Sequence, residues 1–468
     1  MRIYRLIALV AAFFAMIPLL IIPAYIGLTV SNGTLELTGY QRPDTAWELL
    51  TFRVLDAYYF LFLMVSIYPF IVLVLWSFIA RIQERRIRSN VSNTKNWMQE
   101  KPSDIFFKDR FPKVSVIIPC YNEDRYLGSA IANIYKQSYQ GEIEVVVVDD
   151  GSRDNTWSIG RIFRSKKGKR TTNIYHKENG GKASALKYGI DRAAGKIIIM
   201  TDGDSEMDND AVREIVETFR RYPDAGIVGG FVSIKNSHEG YLTKVQQLEY
   251  YITQHIIRTN QSMDGSVLIA PGPIFGMRAD LASSMPPLDR TIVEDCDLTM
   301  SILPTGFTTR ATTRSVSYTN APSTWSSWLR QRKRWIYGQF QAWRVNRWHL
   351  KKNPWGLFTY FTWVTTSISA IVFIIGLLWT LSLIITGSDY YSFLEFISLR
   401  TVLIFLLYFI TRSMIVISYR QTRFLILYLP LKILYDMVNG MLTAYLYIRY
   451  ITGVGVKMRW GNRQEVVY

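Results

Sequence analysis

Long apolar runs bracket a stretch of short alternating ones. From Leu6 to Val30 the chain reads LIALVAAFFAMIPLLIIPAYIGLTV without a charge. At a helical rise of ~1.5 Å per residue this exceeds a hydrocarbon core of about 30 Å. It is also too long for the apolar part of a typical signal peptide, and a second run follows at about Tyr58–Ala80. Both predict transmembrane helices. Further spans are predicted near Gly356–Ile385 and Thr401–Ser418. The last apolar segment, FLILYLPLKILYDMVNGMLTAYLYIRY, holds Pro430, Lys432, Asp436, Asn439 and Gly440 in its middle. Such residues suit a re-entrant or interfacial element better than a lipid-exposed span.

Between about Lys113 and Trp348 the pattern changes scale. VSVIIPC, IEVVVVDDG and GKIIIMTDGD are short β-branched runs that end in polar turns, and helical stretches such as LGSAIANIYKQS and NDAVREIVETFRR separate them. This predicts an α/β domain with a parallel sheet and helices on its faces. Ligands then collect at the carboxyl ends of the strands, where the acidic turns fall.

Composition sharpens this division. The chain of 468 residues is 49% hydrophobic and carries a formal net charge of +17. RIQERRIR directly follows the second span, which by the positive-inside rule places the α/β domain in the cytoplasm, beneath the plasma membrane. The basic charge lies beside the membrane segments, which argues against nucleic-acid binding. Cys120 and Cys296 stand in unrelated contexts without the spacing of a zinc site or disulfide framework, as in a reducing compartment.

The strand ends carry the candidate chemistry. The first ends in PCYNED and the second in Asp149 and Asp150, where a carboxylate can accept from a nucleobase N–H or a ribose hydroxyl. Asp and Gly after a strand also make an ordinary turn. Asp202 and Asp204, one residue apart, repel each other unless a cation lies between them, and their hard oxygens suit Mg²⁺ or Mn²⁺ bridging a diphosphate. GGKASAL has the form of a helix start facing phosphate. Glu294 and Asp295 are a further acidic pair, which a solvated helix start would equally explain. WLRQRKRWIYGQF follows, combining cations with indoles, a composition shared with interfacial amphipathic helices.

Taken in order, Asp-Asp-Gly, Asp-x-Asp, Glu-Asp and QRKRW resemble the membrane-bound processive glycosyltransferases of family 2, which include cellulose, chitin, hyaluronan and poly-N-acetylglucosamine synthases. The resemblance implies a cytoplasmic GT-A (Rossmann-like) domain embedded between transmembrane helices, with amphipathic interface helices. The implied domains are two spans over 1–85, the transferase over 86–348, further spans with the re-entrant element over 349–452, and a tail over 453–468. Asp149 and Asp150 are similar to the family's nucleotide-binding pair, with Tyr121 and Glu123 beside them. Lys182 is similar to the diphosphate-side lysine, and Asp202 and Asp204 to the metal and nucleotide-sugar ligands. Asp295, next to Glu294, would be the general base. Within the Q-(Q/R)-x-R-W signature formed by Gln331, Arg332, Arg334 and Trp335, Arg334 resembles the diphosphate clamp and Trp335 the acceptor platform. Val293 stands where many relatives have threonine.

APGPIFGMRAD is similar to a glycine-proline loop near the acceptor in hyaluronan and chitin synthases, though it also reads as a plain turn. RWGNR is similar to a W-G-T-x-R gating segment, which would return Trp460 and Arg463 to the site from the cytosol. Arg412 would face a sugar-filled channel, or snorkel. The implied partners are a nucleotide sugar, a UDP-sugar with N-acetylglucosamine preferred, a growing polysaccharide and the bilayer. Transfer of one sugar to a polyprenyl phosphate or lipid is the alternative.

Overall fold

The computed structural model describes residues 109–351, 427–460 and 463–467, with 353, 355–360, 362–364, 367 and 385 between them. The expected spans at 6–30, 58–80 and 401–418, most of that at 356–385, the basic segment after Ala80 and Arg412 lie outside the described residues. Among the described residues no helix is long and apolar enough to cross a membrane. The chain divides into two units, Phe78–Asn353 and Met1–Ser77 with Pro354–Tyr468.

In the first unit, Val114–Cys120 (β1) and Ile143–Asp149 (β2) are buried at every position, as apolar runs must be when helices cover both faces of a sheet. Side chains alternate between faces. Val114, Val116 and Ile118 enter the core beneath the helix Leu127–Tyr135 (α1), whereas Ile117, Val146 and Val148 enter the one opposite. The helix Lys182–Ile190 (α2) covers that second face through Ala185, Leu186 and Ile190. Ala211–Arg221 (α3) buries Val212, Ile215, Val216 and Phe219 on the first face, a helical period of apolar residues under a charged outer surface.

Parallel pairing joins β1 to β2, β2 to Arg170–His176 (β3), and β1 to Ile197–Met200 (β4). The register aligns Cys120, Asp149 and His176 at one level, so their following turns open at one edge. The expected parallel sheet holds for these strands but not for the whole sheet. Phe275–Arg278 (β5) runs antiparallel between β4 and Ala225–Ile234 (β6), so the nine-stranded sheet is mixed. The connection from β6 reverses direction through the helix Tyr241–Tyr251 (α4), a π-helical turn Ile252–Arg258 and a loop. The helix Glu294–Ile302 (α5) and the 26-residue helix Trp325–Leu350 (α6) complete the unit.

In the second unit Leu429–Ile451 (α7) is one continuous helix, with Pro430 in its first turn and a Lys432–Asp436 ion pair one turn apart. Strands Val456–Trp460 and Arg463–Val467 pair antiparallel, with Trp460 opposite Arg463.

Candidate active site

The turn after β1 is tied to the turn after β2 by polar contacts. Asn122 adopts φ 58°. Its N–H donates to Ser152 Oγ over 2.9 Å, and its Oδ1 accepts from Arg153 N over 2.9 Å. Asparagine tolerates this left-handed conformation better than most side chains. Tyr121 is left exposed at the rim, while Glu123 turns inward, its N–H on Thr156 Oγ1. Burial, reinforced by the charges of Asp204 and Asp202, pushes Glu123 up to about 7.

Asp149 and Asp150, expected to receive the nucleotide, are held by protein groups. Asp149 is fully buried, with Oδ2 at 2.6 Å from His176 Nδ1 and Oδ1 accepting from Ser152 N. Asp150 accepts from Lys177 Nζ at 2.7 Å, Gly180 N at 3.1 Å and Gly181 N at 2.7 Å. The helix start at GGKASAL therefore directs its N–H groups at a carboxylate of the chain itself. Gly181, at φ 88°, gives the backbone the turn that this requires. The pair secures the loop 177–181 and thereby places Lys182, the first residue of α2.

Lys182 is the hub. Its Nζ lies 2.7 Å from Asp202 Oδ1 and 3.0 Å from Glu294 Oε1, joining the end of β4 to the start of α5. Burial alone would lower its pKa, but Asp202 and Glu294 outweigh it and hold the ammonium above its ordinary range. Burial, helped by Asp202, raises Asp204. The accumulated negative charge on hard oxygens is the donor chemistry of a divalent-cation site. Among the described residues, however, no group of three or more His, Cys, Asp or Glu side chains gathers in a metal-holding cluster.

Glu294 and Asp295 open α5 and titrate in opposite directions. Burial raises both, but Lys182 reverses the effect for Glu294, whereas for Asp295 burial and the charge of Glu294 prevail. Asp295 Oδ1 accepts from Cys296 N over 2.8 Å and Oδ2 from Gly272 N over 2.9 Å. A Cβ on Gly272 would stand 3.3 Å from Asp295 Oδ2, 3.4 Å from Lys182 Nζ and 3.9 Å from Asp202 Oδ2. The glycine-proline loop thus reaches the acidic centre itself.

The signature on α6 divides by role. Arg332 is buried, forms a bidentate pair with Glu249 at 2.8 and 2.5 Å, and lies over the rings of Trp335 and Trp328 at 4.9 and 5.6 Å. Trp335 is half-buried and also meets Tyr250, with ring centres 6.2 Å apart. Arg334 acts electrostatically on both Glu294 and Asp295. Gln331 buries an Oε1 that makes no hydrogen bond among the described residues. Trp460 and Arg463 are backbone partners in the second unit.

Sequence reasoning missed His176 and Lys177, the last residue of β3 and the one after it, in a strand of largely polar text: RTTNIYH. The alternation of buried Thr172 and Ile174 with half-buried neighbours was the available signal. It also missed Arg258, at the end of the π-helical turn, whose guanidinium interacts electrostatically with Asp295.

Residues 115–284 match the model of the family described as Glycosyl transferase family 2. An N-acetylglucosaminyltransferase of Rhizobium meliloti (strain 1021) is 33% identical over 241 residues, covering 49% of this chain and 56% of the relative. An N-acetylglucosaminyltransferase of Azorhizobium caulinodans is 31% identical over 243 residues, covering 49% of this chain and 60% of the relative. The chain therefore spans less than two thirds of the length of these curated relatives. A mannosyltransferase from Pyrobaculum calidifontis, solved with GDP-Man and Mn²⁺, superposes with a TM-score of 0.53 at 18% identity, covering 83% of this chain and 99% of that one, and shares the fold. Residues 115–284 thus carry the likeness to glycosyl transferase family 2, on a mixed α/β fold shared with that mannosyltransferase.

Proposed function

We propose that the protein is a processive, inverting glycosyltransferase that extends a β-linked polysaccharide from a UDP-sugar and passes it across the plasma membrane, with its catalytic domain on the cytoplasmic face. The observation that carries the reading is the meeting of Lys182, Asp202, Glu294 and Asp295 beside the Gly272 loop. N-acetylglucosamine is the donor sugar most in keeping with the relatives, which are named for it.

Asp295 serves as the general base. Its raised pKa makes it a stronger base than an ordinary aspartate, and the N–H groups of Cys296 and Gly272 fix its plane. It takes the proton of the acceptor hydroxyl. The hydroxyl oxygen bonds to the anomeric carbon from the face opposite the leaving group, and the bond to the nucleotide diphosphate breaks with its electrons staying on phosphate. Lys182 and Arg334 supply positive charge beside these acids, where the diphosphate charge develops. Asp204, with Asp202, would hold Mg²⁺ or Mn²⁺, which when bound neutralises that diphosphate. Trp335 offers an indole to a sugar face.

The test is incubation of purified protein with a panel of nucleotide sugars, following diphosphate release and product length. Polymer from one UDP-sugar, abolished in Asp295→Asn with nucleotide binding retained, is the expected result. A product with a single added sugar on a lipid would replace polymerisation by transfer to a polyprenyl phosphate or lipid acceptor.

A further inference from the structure

Arg258 ends a π-helical turn, a local widening of the helix that recurs at functional sites. Its anchorage uses one nitrogen. Nη1 donates to Gln254 Oε1 over 2.9 Å and reaches Gly230 O at 3.5 Å. Gln254 is itself fastened to the sheet, accepting from Val232 N at 2.7 Å and donating to Val232 O at 2.9 Å. The side chain is therefore held by a buried residue locked onto β6. Among the described residues no hydrogen bond engages Nε or Nη2 of Arg258.

The same stretch of sheet leads to Asp295. Gly230 N donates to Ile274 O over 2.9 Å, and a Cβ on Gly229 would stand 3.2 Å from Ala270 Cα and Pro271 Cδ. This is the loop whose Gly272 N binds Asp295. Arg258 and Asp295 are thus connected through one loop, and among the described residues no ion pair joins them. Burial lowers Arg258 to about 10, and Asp295 acts against that shift. A cation so placed, with two donors unengaged and a base nearby, suits a ligand oxygen that lies between them.

We infer that Arg258 is a further catalytic residue, which donates through Nε or Nη2 to the acceptor hydroxyl oxygen that Asp295 deprotonates. This rests on the proposed glycosyl transfer. The proton passes to Asp295, the oxygen gains negative charge as it attacks the anomeric carbon, and Arg258 stabilises that charge until the new C–O bond forms and the diphosphate leaves. The charged groups facing Asp295 would then be Glu294 on its own helix, Lys182 on α2, Arg334 on α6 and Arg258 on the π-helical turn.

The experiment compares Arg258→Ala and Arg258→Lys in the full chain. Arg258→Ala should lower kcat for transfer about a hundredfold and raise the acceptor KM, while UDP-sugar affinity by calorimetry stays within about twofold. Arg258→Lys, which keeps a cation, should recover at least tenfold of the lost rate by the same reasoning. Transfer by Arg258→Ala within about threefold of wild type would overturn the assignment, as would parallel loss of donor affinity and rate. Where Arg258→Ala fails to fold, the test rests on Arg258→Gln, judged by the same kcat and donor-affinity criteria. If wild-type protein transfers no sugar from any donor, it is the glycosyl-transfer reading that fails.

Discussion

Gly272 donates its backbone N–H to Asp295 Oδ2 over 2.9 Å, which fixes the candidate base through a residue that has no side chain of its own. The absence of a side chain is what admits the contact, since the Cβ position lies 3.3 Å from that oxygen and 3.4 Å from Lys182 Nζ. The backbone there has no left-handed φ, so alanine meets a crowding problem and not a conformational one.

Gly272→Ala should therefore fold normally and transfer poorly. Displacing Asp295 by a few tenths of an ångström lowers kcat about tenfold, because attack geometry is sensitive to small shifts of the base. Turnover equal to wild type, with an unchanged melting temperature, would mean that Asp295 does not need this contact.

The opposed titration of Glu294 and Asp295 gives a pH signature. Asp295 acts as a base when charged, so the rate falls as pH drops through its raised pKa. Glu294→Gln removes a neighbouring negative charge, lowers the Asp295 pKa and should move the acid limb of kcat/KM to lower pH. Because the two acids titrate together, the limb belongs to the pair. An acid limb that stays in place or moves upward in Glu294→Gln would reject the coupling.

How much of this was written locally in the chain differs residue by residue. The strands VSVIIPC, IEVVVVD and IIIM were legible because burial on both faces demands unbroken apolar runs. The strand-end rule pointed to Asp202, and the family resemblance added Lys182 and Glu294, which ion pairs now join to it. The antiparallel strand Phe275–Arg278 was not legible, since strand direction depends on the route of the preceding connection. Nor were the partners of Asp149 and Asp150. Their bonds to His176, Lys177 and Gly181 cross 27 to 31 positions of sequence, and no local pattern distinguishes a carboxylate that binds a ligand from one that braces a loop.

The two arginines of QRKRW show the same limit, and they yield the last prediction. By residue type alone Arg332 and Arg334 are equivalent cations two positions apart, and only the family resemblance set Arg334 apart. In the fold Arg332 is 6% exposed and bidentate to Glu249, 83 positions away, whereas Arg334 acts on Glu294 and Asp295. Arg332→Ala removes a bidentate cation from Glu249 in a desolvated setting, which should destabilise the domain by about 3 kcal/mol. Arg334→Ala removes a charge from the acidic centre and should leave the unfolding midpoint within about 0.5 kcal/mol while lowering transfer at least tenfold. Denaturant melts and transfer assays on both variants separate the roles. A stable Arg332→Ala protein, or an Arg334→Ala protein that loses stability and keeps its rate, would reverse the assignment and make Arg332 the member of the signature that serves the chemistry.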